Sequence, residues 1–591
     1  MNTAGRPELV WPGKYDEQGN PRPVERTILP FQVIETINES KADREASQRD
    51  FFTKQAQDKT WRNRLIWGDN RIVMSSLLPE LAGKIDLVYI DPPFATGQDF
   101  SFEVDVGDET VVKEASVIEE KAYRDTWGQG TSSYLQMMRE RLELIRDLLS
   151  GSGALYLHVD NRMVHPLKLI ADEVFGSESF LNHVIWSYRR WPGTARTYQS
   201  MHDDILFYAK DPKATRVFNI EYEAPSESYL KRFKGKTQVL DPETRSRKIV
   251  VDEPTKGLPV RDVWEISMIA GFKSERTGYP TQKPEPLLER VIRTSTDEGG
   301  LVADFFSGSG TTAAVAERLG RRWIACDLSK WAIQVARKRL LQVHECRLFE
   351  VQNLGHYERH KLAANGHGAW ERYVKFILDL YRAEAVTGFK NLHGKKARAY
   401  VHVGSVDSPI TMREIRSALE EARKSGMKEV HFLGWDFEMG LHDLGAEIQE
   451  EYGVKPRLVS IPKEALEVSN PAKEEVRFFD LNYLELDHDV RNRKLTVALK
   501  DFIIANPEYL PDEVRAKIKK FTDYVDYWAV DWDFKDDTFH NQWQSFRTRK
   551  EPKLETKATS TYEQAGKYKV LVKVVDVFGN DTTKLLEVTV K

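Results

Sequence analysis

A carboxylate, two prolines and an aromatic ring stand in a row at Asp91, Pro92, Pro93 and Phe94, directly after the apolar run IDLVYI. Each proline removes a backbone N–H donor and fixes one φ angle, so a strand cannot simply continue through them. The sequence therefore predicts a stiff segment in which two successive residues lack a backbone N–H donor. It places a carboxylate and a flat ring at the end of a predicted strand, where both are available for chemistry.

A second candidate site follows another apolar run, in the stretch DFFSGSGTT. Gly308 and Gly310 predict a tight turn from a strand into a helix, and Asp327 stands at the end of the next predicted strand. Glycines let the backbone approach a ligand closely, and a carboxylate one strand over can accept hydrogen bonds from both ribose hydroxyls. The pattern predicts a cofactor that carries a nucleoside. A turn without a ligand remains an alternative, as does NAD, because Ala313 also satisfies the loose dinucleotide-binding pattern.

The elements around these residues alternate between strand-like and helical segments. This rhythm predicts a mostly parallel, Rossmann-like α/β sheet over residues 61–355, with ligands at the carboxyl ends of its strands. A polar arm is predicted at 1–60. A helical linker with a smaller α/β module is predicted at 356–470, and a C-terminal module ending in β-sandwich-like strands at 471–591.

The composition indicates a multidomain globular protein. The chain has 591 residues, 41% hydrophobic and 30% charged, which is too long for one core. The two cysteines, the short apolar runs and an N-terminus without a basic and then apolar leader predict a cytoplasmic protein that does not enter a membrane. No C-x-x-C or H-E-x-x-H spacing occurs, so no metal site is predicted.

A basic segment interrupts the α/β rhythm. Residues 189–248 contain 13 Lys and Arg against 8 Asp and Glu, with aromatic residues in and beside them, although the whole chain has a net charge of -4. Basic side chains interleaved with aromatic ones are typical of nucleic-acid binding. A solvated surface insertion is the alternative.

Three ordered motifs resemble those of the DNA amino-methyltransferases. DFFSGSGTT resembles their cofactor motif, TGYPTQKPEPLLERVI the companion motif just upstream, and YIDPPFATG the catalytic motif. A catalytic motif that precedes the cofactor motif is the order of the β-class enzymes, and the chain is similar in particular to the modification subunits of type III restriction systems. The resemblance covers about residues 61–355 and implies S-adenosyl-L-methionine as the methyl donor.

This resemblance gives the opening residues a role. An exocyclic amine of adenine or cytosine is a poor nucleophile because its lone pair is delocalised into the ring. The carboxylate of Asp91 and the backbone carbonyl of Pro92 would accept its two N–H groups, while Pro93 helps to fix the geometry. Phe94 offers a face on which an extruded base can stack, worth ~1–3 kcal/mol. Asp91, Pro92, Pro93 and Phe94 are therefore the predicted catalytic residues.

The remaining predicted site residues fall into two groups. Cofactor binding is predicted for Asp69, Lys283, Asp304, Phe305, Phe306, Gly308, Gly310, Thr311 and Asp327. Asp69 has a helix cap as its alternative, and Lys283 has no assigned atomic role. Residues 187–262 are predicted to be the target-recognition region, and DNA binding is predicted for Trp186, Tyr188, Arg189, Arg190, Lys231, Arg232, Lys234 and Lys236, with a plain core role as the alternative for the two aromatics.

The sequence thus predicts a site-specific methyltransferase that acts on N6 of a flipped-out adenine in double-stranded DNA, within a restriction-modification or related defence system. Cytosine N4 is the runner-up target. A nicotinamide-dependent dehydrogenase would leave DPPF and TQKP without a role, and the intact Asp91 argues against a catalytically silent subunit. Besides DNA, the expected partners are a second copy of the chain and a restriction or helicase subunit.

Overall fold

The structure is a computed structural model. It describes residues 7–38, 61–93, 101–106, 109–114, 131–189, 196, 198–225, 227–234, 236–240, 248–269, 275–354, 368–406, 408–437, 445–462, 465, 476, 478–504, 507, 515, 518–535, 538–547, 553–577 and 579–591.

The described residues up to 354 form sixteen strands and seven α-helices. In chain order they are β1 (Gln32–Ile37), β2 (Asn63–Trp67), α1 (Asn70–Leu81), β3 (Ile85–Ile90), β4 (Ser101–Val106), β5 (Glu109–Glu114), α2 (Thr131–Leu148), β6 (Leu149–Val159), α3 (Val164–Phe175), β7 (Phe180–Ser187), β8 (His202–Ala209), β9 (Tyr222–Glu223), α4 (Glu227–Phe233), β10 (Lys236–Leu240), β11 (Lys248–Pro254), β12 (Leu258–Pro259), β13 (Val263–Glu265), α5 (Glu285–Ser295), β14 (Leu301–Asp304), α6 (Thr311–Arg318), β15 (Arg322–Asp327), α7 (Lys330–Leu341) and β16 (Phe349–Asn353).

The described residues from 368 onward add fourteen strands and three α-helices. In chain order they are α8 (Ala369–Tyr381), β17 (Glu384–Ala385), β18 (Gly394–Lys396), β19 (Ala399–Val403), α9 (Met412–Lys424), β20 (Glu429–Gly434), α10 (Gly445–Tyr452), β21 (Lys455–Ser460), β22 (Phe479–Asp480), β23 (Tyr483–Arg491), β24 (Lys494–Ile503), β25 (Val525–Asp531), β26 (Phe539–Asn541), β27 (Trp543–Phe546), β28 (Lys557–Thr561), β29 (Gly566–Asp576) and β30 (Asp581–Val590).

The central sheet has eleven strands in the order β13-β7-β8-β6-β3-β14-β15-β2-β16-β1-β26. The six strands from β6 to β16 in that order are parallel to their neighbours. Strand β8 runs antiparallel to β6 and β7, and β1 runs antiparallel to β16. The predicted α/β sheet is confirmed, although it is mixed at both edges.

The central strands are buried on both faces, which is why they read as apolar runs rather than as alternating patterns. On one face, Ile66, Val88 and Ala303 pack with the apolar sides of α1, α2 and α3. On the other face, Leu87 and Val302 pack with α5, α6 and α7. The two helical layers fix the ends of β3, β14, β15 and β2 relative to one another.

The prediction of a peripheral arm at residues 1–60 is wrong for its described part. Strand β1 is the tenth strand of the central sheet, Trp11 packs in the core beneath α2 and α3, and Lys14 is fully buried between Glu8 and Glu173. The segment reads as an arm because its few apolar residues are spread among polar ones. Its burial depends on partners more than a hundred residues away.

The predicted target-recognition boundaries also change. Strand β8, within residues 187–262, lies in the central sheet between β6 and β7. The insertion is therefore split into a loop before β8 and a longer segment after it. In the longer segment β10 pairs with β11 and β9 with β12, and α4 presents no buried side chain.

Two further sheets follow. Strands β17 to β22 form a six-stranded sheet in chain order, which runs past the predicted boundary at residue 470. Beyond it, the sheets β23-β24-β28 and β27-β25-β29-β30 enclose a shared core that contains Trp528, Val572 and Val497. No helix among the described residues has the length and apolar character needed to cross a membrane.

A buried polar group joins this sandwich to the central sheet. Strand β26 pairs with β1, and the carboxylate of Glu35 on β1 accepts hydrogen bonds from Arg337 of α7 at 2.6 Å, Asn541 of β26 at 3.0 Å and Lys573 of β29 at 3.1 Å. We call these four residues the Glu35 cluster. Burial alone would raise the pKa of Glu35, but the charges of Arg337 and Lys573 outweigh it and lower the pKa to about 2.

Candidate active site

Four carboxylates meet at the carboxyl edge of the central sheet. Asp91 follows β3, Asp304 and Asp327 end β14 and β15, and Asp69 lies two residues after β2. These four strands are neighbours in the sheet, so all four side chains line one cavity. The sequence order alone does not place β14 and β15 between β3 and β2. That crossover creates the crevice where ligands bind in such sheets.

The two oxygens of Asp91 have different surroundings. Oδ2 accepts a hydrogen bond from Nζ of Lys283, and the two side chains form an ion pair. The Asp91 side chain is 15% exposed and the Lys283 side chain 10% exposed. Oδ1 is buried and has no hydrogen-bond partner among the described residues. A buried acceptor without a partner is costly unless a ligand satisfies it. Pro93 lines the same cavity, Pro92 is buried beside it, and Phe94 lies outside the described residues.

The glycine loop connects β14 to α6. Both glycines have positive φ, +48° at Gly308 and +73° at Gly310. A Cβ on Gly308 would lie 3.2 Å from the ring of Tyr279, which lines the cavity, whereas a Cβ on Gly310 would lie 2.6 Å from Cβ of Ala336 in α7. Gly310 itself is outside the cavity lining. Its missing side chain lets α6 and α7 approach each other, and its role as a cofactor residue stays a prediction.

Asp304 organises the same loop from below. Its carboxylate accepts hydrogen bonds from the Thr312 hydroxyl at 2.5 Å and from the backbone N–H of Phe306 at 3.0 Å. Burial raises the pKa of Asp304 to about 7, although these two hydrogen bonds oppose the change. The side chain thus holds the start of α6 against the strand. Phe305, Phe306 and Thr311 all line the cavity, and their binding of a cofactor stays a prediction.

Asp327 and Asp69 hold backbone at the cavity rim. Asp327 accepts hydrogen bonds from the N–H groups of Gly308 at 2.8 Å and Ser329 at 2.9 Å. Asp69 caps α1 through the N–H of Arg71 at 2.7 Å, so the helix-cap alternative is confirmed, while the same side chain also lines the cavity. Capping and ligand binding are compatible because a carboxylate has several acceptor positions.

Several cavity residues were not predicted. Tyr279 lies in the TGYPTQKP stretch and could have been found from that motif. Ser307 has a buried hydroxyl oxygen to which no described residue is hydrogen-bonded. Arg141 on α2 donates to Asn70 at 2.6 Å and lies 3.4 Å from Asp69, and burial lowers the pKa of its guanidinium. No sequence signal separates Arg141 from the other charges of its helix.

The predicted DNA-binding residues that the structure describes are not among the residues that line the cavity. Trp186 and Tyr188 are 2% and 7% exposed; the Trp186 indole donates to the carbonyl of Ile266 at 2.8 Å, so the core alternative fits both aromatics better. Arg189 is exposed, and Arg190 lies outside the described residues. Exposed cations on and just after α4 are Lys231, Arg232, Lys234 and Lys236.

A buried polar chain runs behind the catalytic strand. The hydroxyl of Tyr89 and Nδ1 of His158 are 2.7 Å apart, and Nε2 of His158 lies 3.3 Å from Asp203. The hydroxyl of Tyr188 donates to the other oxygen of Asp203 at 3.1 Å. Tyr89 also lines the cavity, so this chain begins at the cavity wall. Its members come from β3, β6 and β8 and from the residue after β7.

The arrangement fits a nucleoside-bearing cofactor beside an amine substrate. Glycine backbone, two rim carboxylates and the unpartnered Ser307 hydroxyl offer hydrogen-bonding groups at one part of the cavity, and Asp91 offers a buried acceptor at another. Among the described residues, no group of three or more His, Cys, Asp or Glu side chains is placed to hold a metal ion.

A comparison with known families bears on the class of the site. Residues 85–338 match the family model N6_N4_Mtase, described as DNA methylase. This part of the chain is therefore similar to the N6_N4 DNA methylases. The matched region includes Asp91, Lys283 and the glycine loop. The match favours methyl transfer over the nicotinamide alternative.

Curated relatives of this part of the chain include a type II methyltransferase, a Mod subunit of a type III restriction-modification enzyme and a DNA adenine methyltransferase. Type II methyltransferase M.EcaI of Enterobacter cloacae is 28% identical over 333 residues, 47% of this chain and 69% of the relative. The Mod subunit of the type III enzyme StyLTI of Salmonella typhimurium is 26% identical, over 46% of this chain and 54% of the relative. DNA adenine methyltransferase YhdJ of Escherichia coli is 25% identical, over 46% of this chain and 82% of the relative.

Solved structures similar to this part of the chain include a DNA modification methylase of Thermus thermophilus in complex with S-adenosyl-L-methionine. It has 19% sequence identity and a TM-score of 0.29, and the match covers 49% of this chain and 97% of that one.

Proposed function

We propose that this chain methylates N6 of adenine at a specific site in double-stranded DNA, as the modification enzyme of a restriction-modification or related defence system. The observation that carries the proposal is the buried, unpartnered Oδ1 of Asp91 at the edge of a methylase cavity. An amine entering that cavity would give this oxygen the hydrogen bond that it lacks.

The catalytic strand end supplies what the amine needs. Asp91 would accept one N–H through Oδ1, and the carbonyl of Pro92 would accept the other, which returns electron density to nitrogen. The prolines limit reorganisation during the reaction because their φ angles are fixed. Bound S-adenosyl-L-methionine would supply a methyl group on a positively charged sulfur. As the C–N bond forms, the electron pair of the broken C–S bond would stay on sulfur, and the methylated nitrogen would then lose one proton to solvent. In this proposal Asp327 accepts the ribose hydroxyls, and Asp69, Phe305, Phe306 and Thr311 complete the cofactor site.

Adenine is favoured over cytosine by two observations. The catalytic motif begins with Asp91, and DPP-aromatic motifs lean to adenine whereas Ser-Pro-Pro-aromatic motifs lean to cytosine. One relative is named as a DNA adenine methyltransferase. Cytosine N4 remains the second candidate because the same two acceptors would serve its amine.

Target recognition is assigned in this proposal to the two segments that flank β8, residues 188–201 and 210–262. The longer segment carries the exposed cations of α4, which suit phosphate contacts, and two small strand pairs, β9 with β12 and β10 with β11. The described residues from 368 onward lie outside the family match at 85–338. Because one relative is a Mod subunit of a type III enzyme, we assign docking of a restriction or helicase subunit, and self-association, to surfaces outside the catalytic cavity.

The test is expression in a host free of DNA methylation, followed by single-molecule sequencing. Wild type should leave N6-methyladenine at one sequence. Asp91→Asn should lower methyl transfer by ~10²-fold or more, since it removes a preorganised charged acceptor, with cofactor affinity changed only a few-fold. Asp160→Asn is the matched control, because Asp160 follows the adjacent parallel strand β6 but lies outside the cavity.

Each outcome is decisive for part of the proposal. N4-methylcytosine in the host DNA would replace adenine with the runner-up target. The absence of any modified base from an expressed, folded wild-type protein would refute the function. An Asp91→Asn variant as active as Asp160→Asn would leave the function and remove the assigned role of Asp91.

A further inference from the structure

We infer that Lys283 is a positioning residue for Asp91: it holds one carboxylate oxygen so that the other faces the target amine. The inference rests on the proposed function and deepens it. The sequence placed Lys283 among the cofactor residues without an atomic role, and the structure gives its ammonium group a different neighbour.

The contact divides the carboxylate into two unequal halves. Lys283 donates to Oδ2 of Asp91, while Oδ1 is buried and has no partner in the part of the chain that the structure describes, and both residues line the cavity. An aspartate carboxylate rotates freely about its last bond unless a partner restrains it. The ion pair supplies that restraint, so Oδ1 keeps a fixed position in which it can accept a hydrogen bond from a ligand.

The backbone of Lys283 is itself fixed. The Thr311 hydroxyl at the start of α6 donates to the carbonyl of Lys283 at 3.2 Å. The preceding Gln282 accepts hydrogen bonds from the N–H of Thr277 at 2.8 Å and from its hydroxyl at 2.7 Å, and Pro284 leads directly into α5. The ammonium group is therefore carried by a braced loop. The same hydroxyl contact links the cofactor loop to the lysine that holds Asp91.

A second carboxylate lies within the electrostatic reach of Lys283. Burial alone would raise the pKa of Asp203, but its hydrogen bond with His158 and the charges of His158 and Lys283 lower it. Asp203 is already engaged by His158 and by the Tyr188 hydroxyl. Lys283 makes its direct ion pair with Asp91, so the geometry assigns its restraining contact to the catalytic carboxylate.

The expected consequence lies in the rate rather than in binding. Loss of the restraint lets Asp91 rotate, and misplacement of a reacting group by about 1 Å can cost on the order of 10²-fold. We expect Lys283→Ala and Lys283→Met to lower the single-turnover rate by about 10- to 100-fold. Cofactor affinity, measured by calorimetry with S-adenosyl-L-methionine, should change by less than about threefold, because Lys283 acts on Asp91 and not on the cofactor.

Chemical rescue separates positioning from general structure. Ethylammonium added to Lys283→Ala should restore part of the rate, because a small cation can occupy the vacated space beside Oδ2. It should not help Lys283→Met, whose side chain fills that space. Lys330→Ala is the control, since Lys330 begins α7 next to the cavity but pairs with Asp581 at 3.9 Å and does not line it.

The outcomes distinguish this inference from the function on which it rests. An inactive wild type refutes the proposed function. An active wild type with an equally active Lys283→Ala variant refutes only the positioning role. A parallel loss of rate and cofactor affinity would return Lys283 to the cofactor site. A crystal structure of Lys283→Met in which Asp91 keeps its orientation would overturn the inference whatever the activity.

Discussion

The two glycines of the cofactor loop should respond differently to the same substitution. Gly310→Ala introduces a Cβ 2.6 Å from Cβ and 2.9 Å from Cα of Ala336, a fully buried residue of α7. No rotamer change relieves a contact with a Cα atom, so α6 and α7 must move apart. Gly308→Ala introduces a Cβ 3.2 Å from the Tyr279 ring, which can yield by a few tenths of an ångström.

The magnitudes follow from these contacts. Both substitutions put an alanine at positive φ, which costs about 1–2 kcal/mol. At Gly310 the forced helix separation adds about 1–3 kcal/mol, the usual cost of overpacking a core. We therefore expect Gly310→Ala to lower the free energy of unfolding by about 2–5 kcal/mol and Gly308→Ala by about 1–2 kcal/mol.

For cofactor binding we expect the reverse order: Gly308→Ala should weaken binding more than Gly310→Ala, although it should destabilise the fold less. Gly308 and Tyr279 both line the cavity, so Gly308→Ala should weaken binding of S-adenosyl-L-methionine by about tenfold, equivalent to about 1.4 kcal/mol. Urea unfolding gives the stability of each variant, and calorimetry on the folded fraction gives its affinity. The reasoning is refuted if Gly310→Ala is as stable as wild type yet cannot bind the cofactor, because the close approach would then belong to the ligand.

Two further predictions concern charge. The lowered pKa of Glu35 contributes about 3 kcal/mol to the free energy of unfolding. This contribution is complete above the ordinary pKa of 4.5 and is lost as the pH falls towards 2. Urea unfolding of the wild type across that pH range should show the loss, and the pH dependence should be weaker in Glu35→Gln. Neutralising Lys231, Arg232, Lys234 and Lys236 should weaken binding to all duplexes alike and reduce the log-log salt slope by about 0.9 per lost phosphate contact, and an unchanged slope in fluorescence titrations would place the phosphate contacts elsewhere.

The catalytic part of the site was predictable because its signals are local. Asp91 and Asp327 stand at strand ends that short apolar runs define, and Gly308 sits in a turn that the neighbouring residues specify. A parallel α/β sheet then brings strand ends to one edge whatever the strand order. Lys283 was found as a motif residue, but its partner was not, because the sequence does not give the distance between two loops.

The parts that could not be predicted depend on contacts between distant segments. Half of the residues in strand β1 are polar, and the strand gains its place from pairing with β16 and β26. Arg141 reads as a surface charge until α2 is packed against α1. Trp186 and Tyr188 carry the composition of a binding surface, yet the neighbouring strands bury them. In each case the sequence gives the side chain, and the tertiary neighbours decide its exposure.

The Glu35 cluster has a consequence for synthesis of the chain on the ribosome. Glu35 is made early, its partner Arg337 about 300 residues later, and Lys573 more than 500 residues later. Until β26 and β29 emerge, β1 has an open edge and the buried carboxylate has only one of its two cations. The edge of the central sheet formed by β1 and β26 is therefore completed late, although β1 is the first strand to be translated. A tag or truncation near residue 573 should therefore disturb the packing around Glu35. A nascent chain stalled before β26 should be more prone to proteolysis and to pairing with other chains through β1.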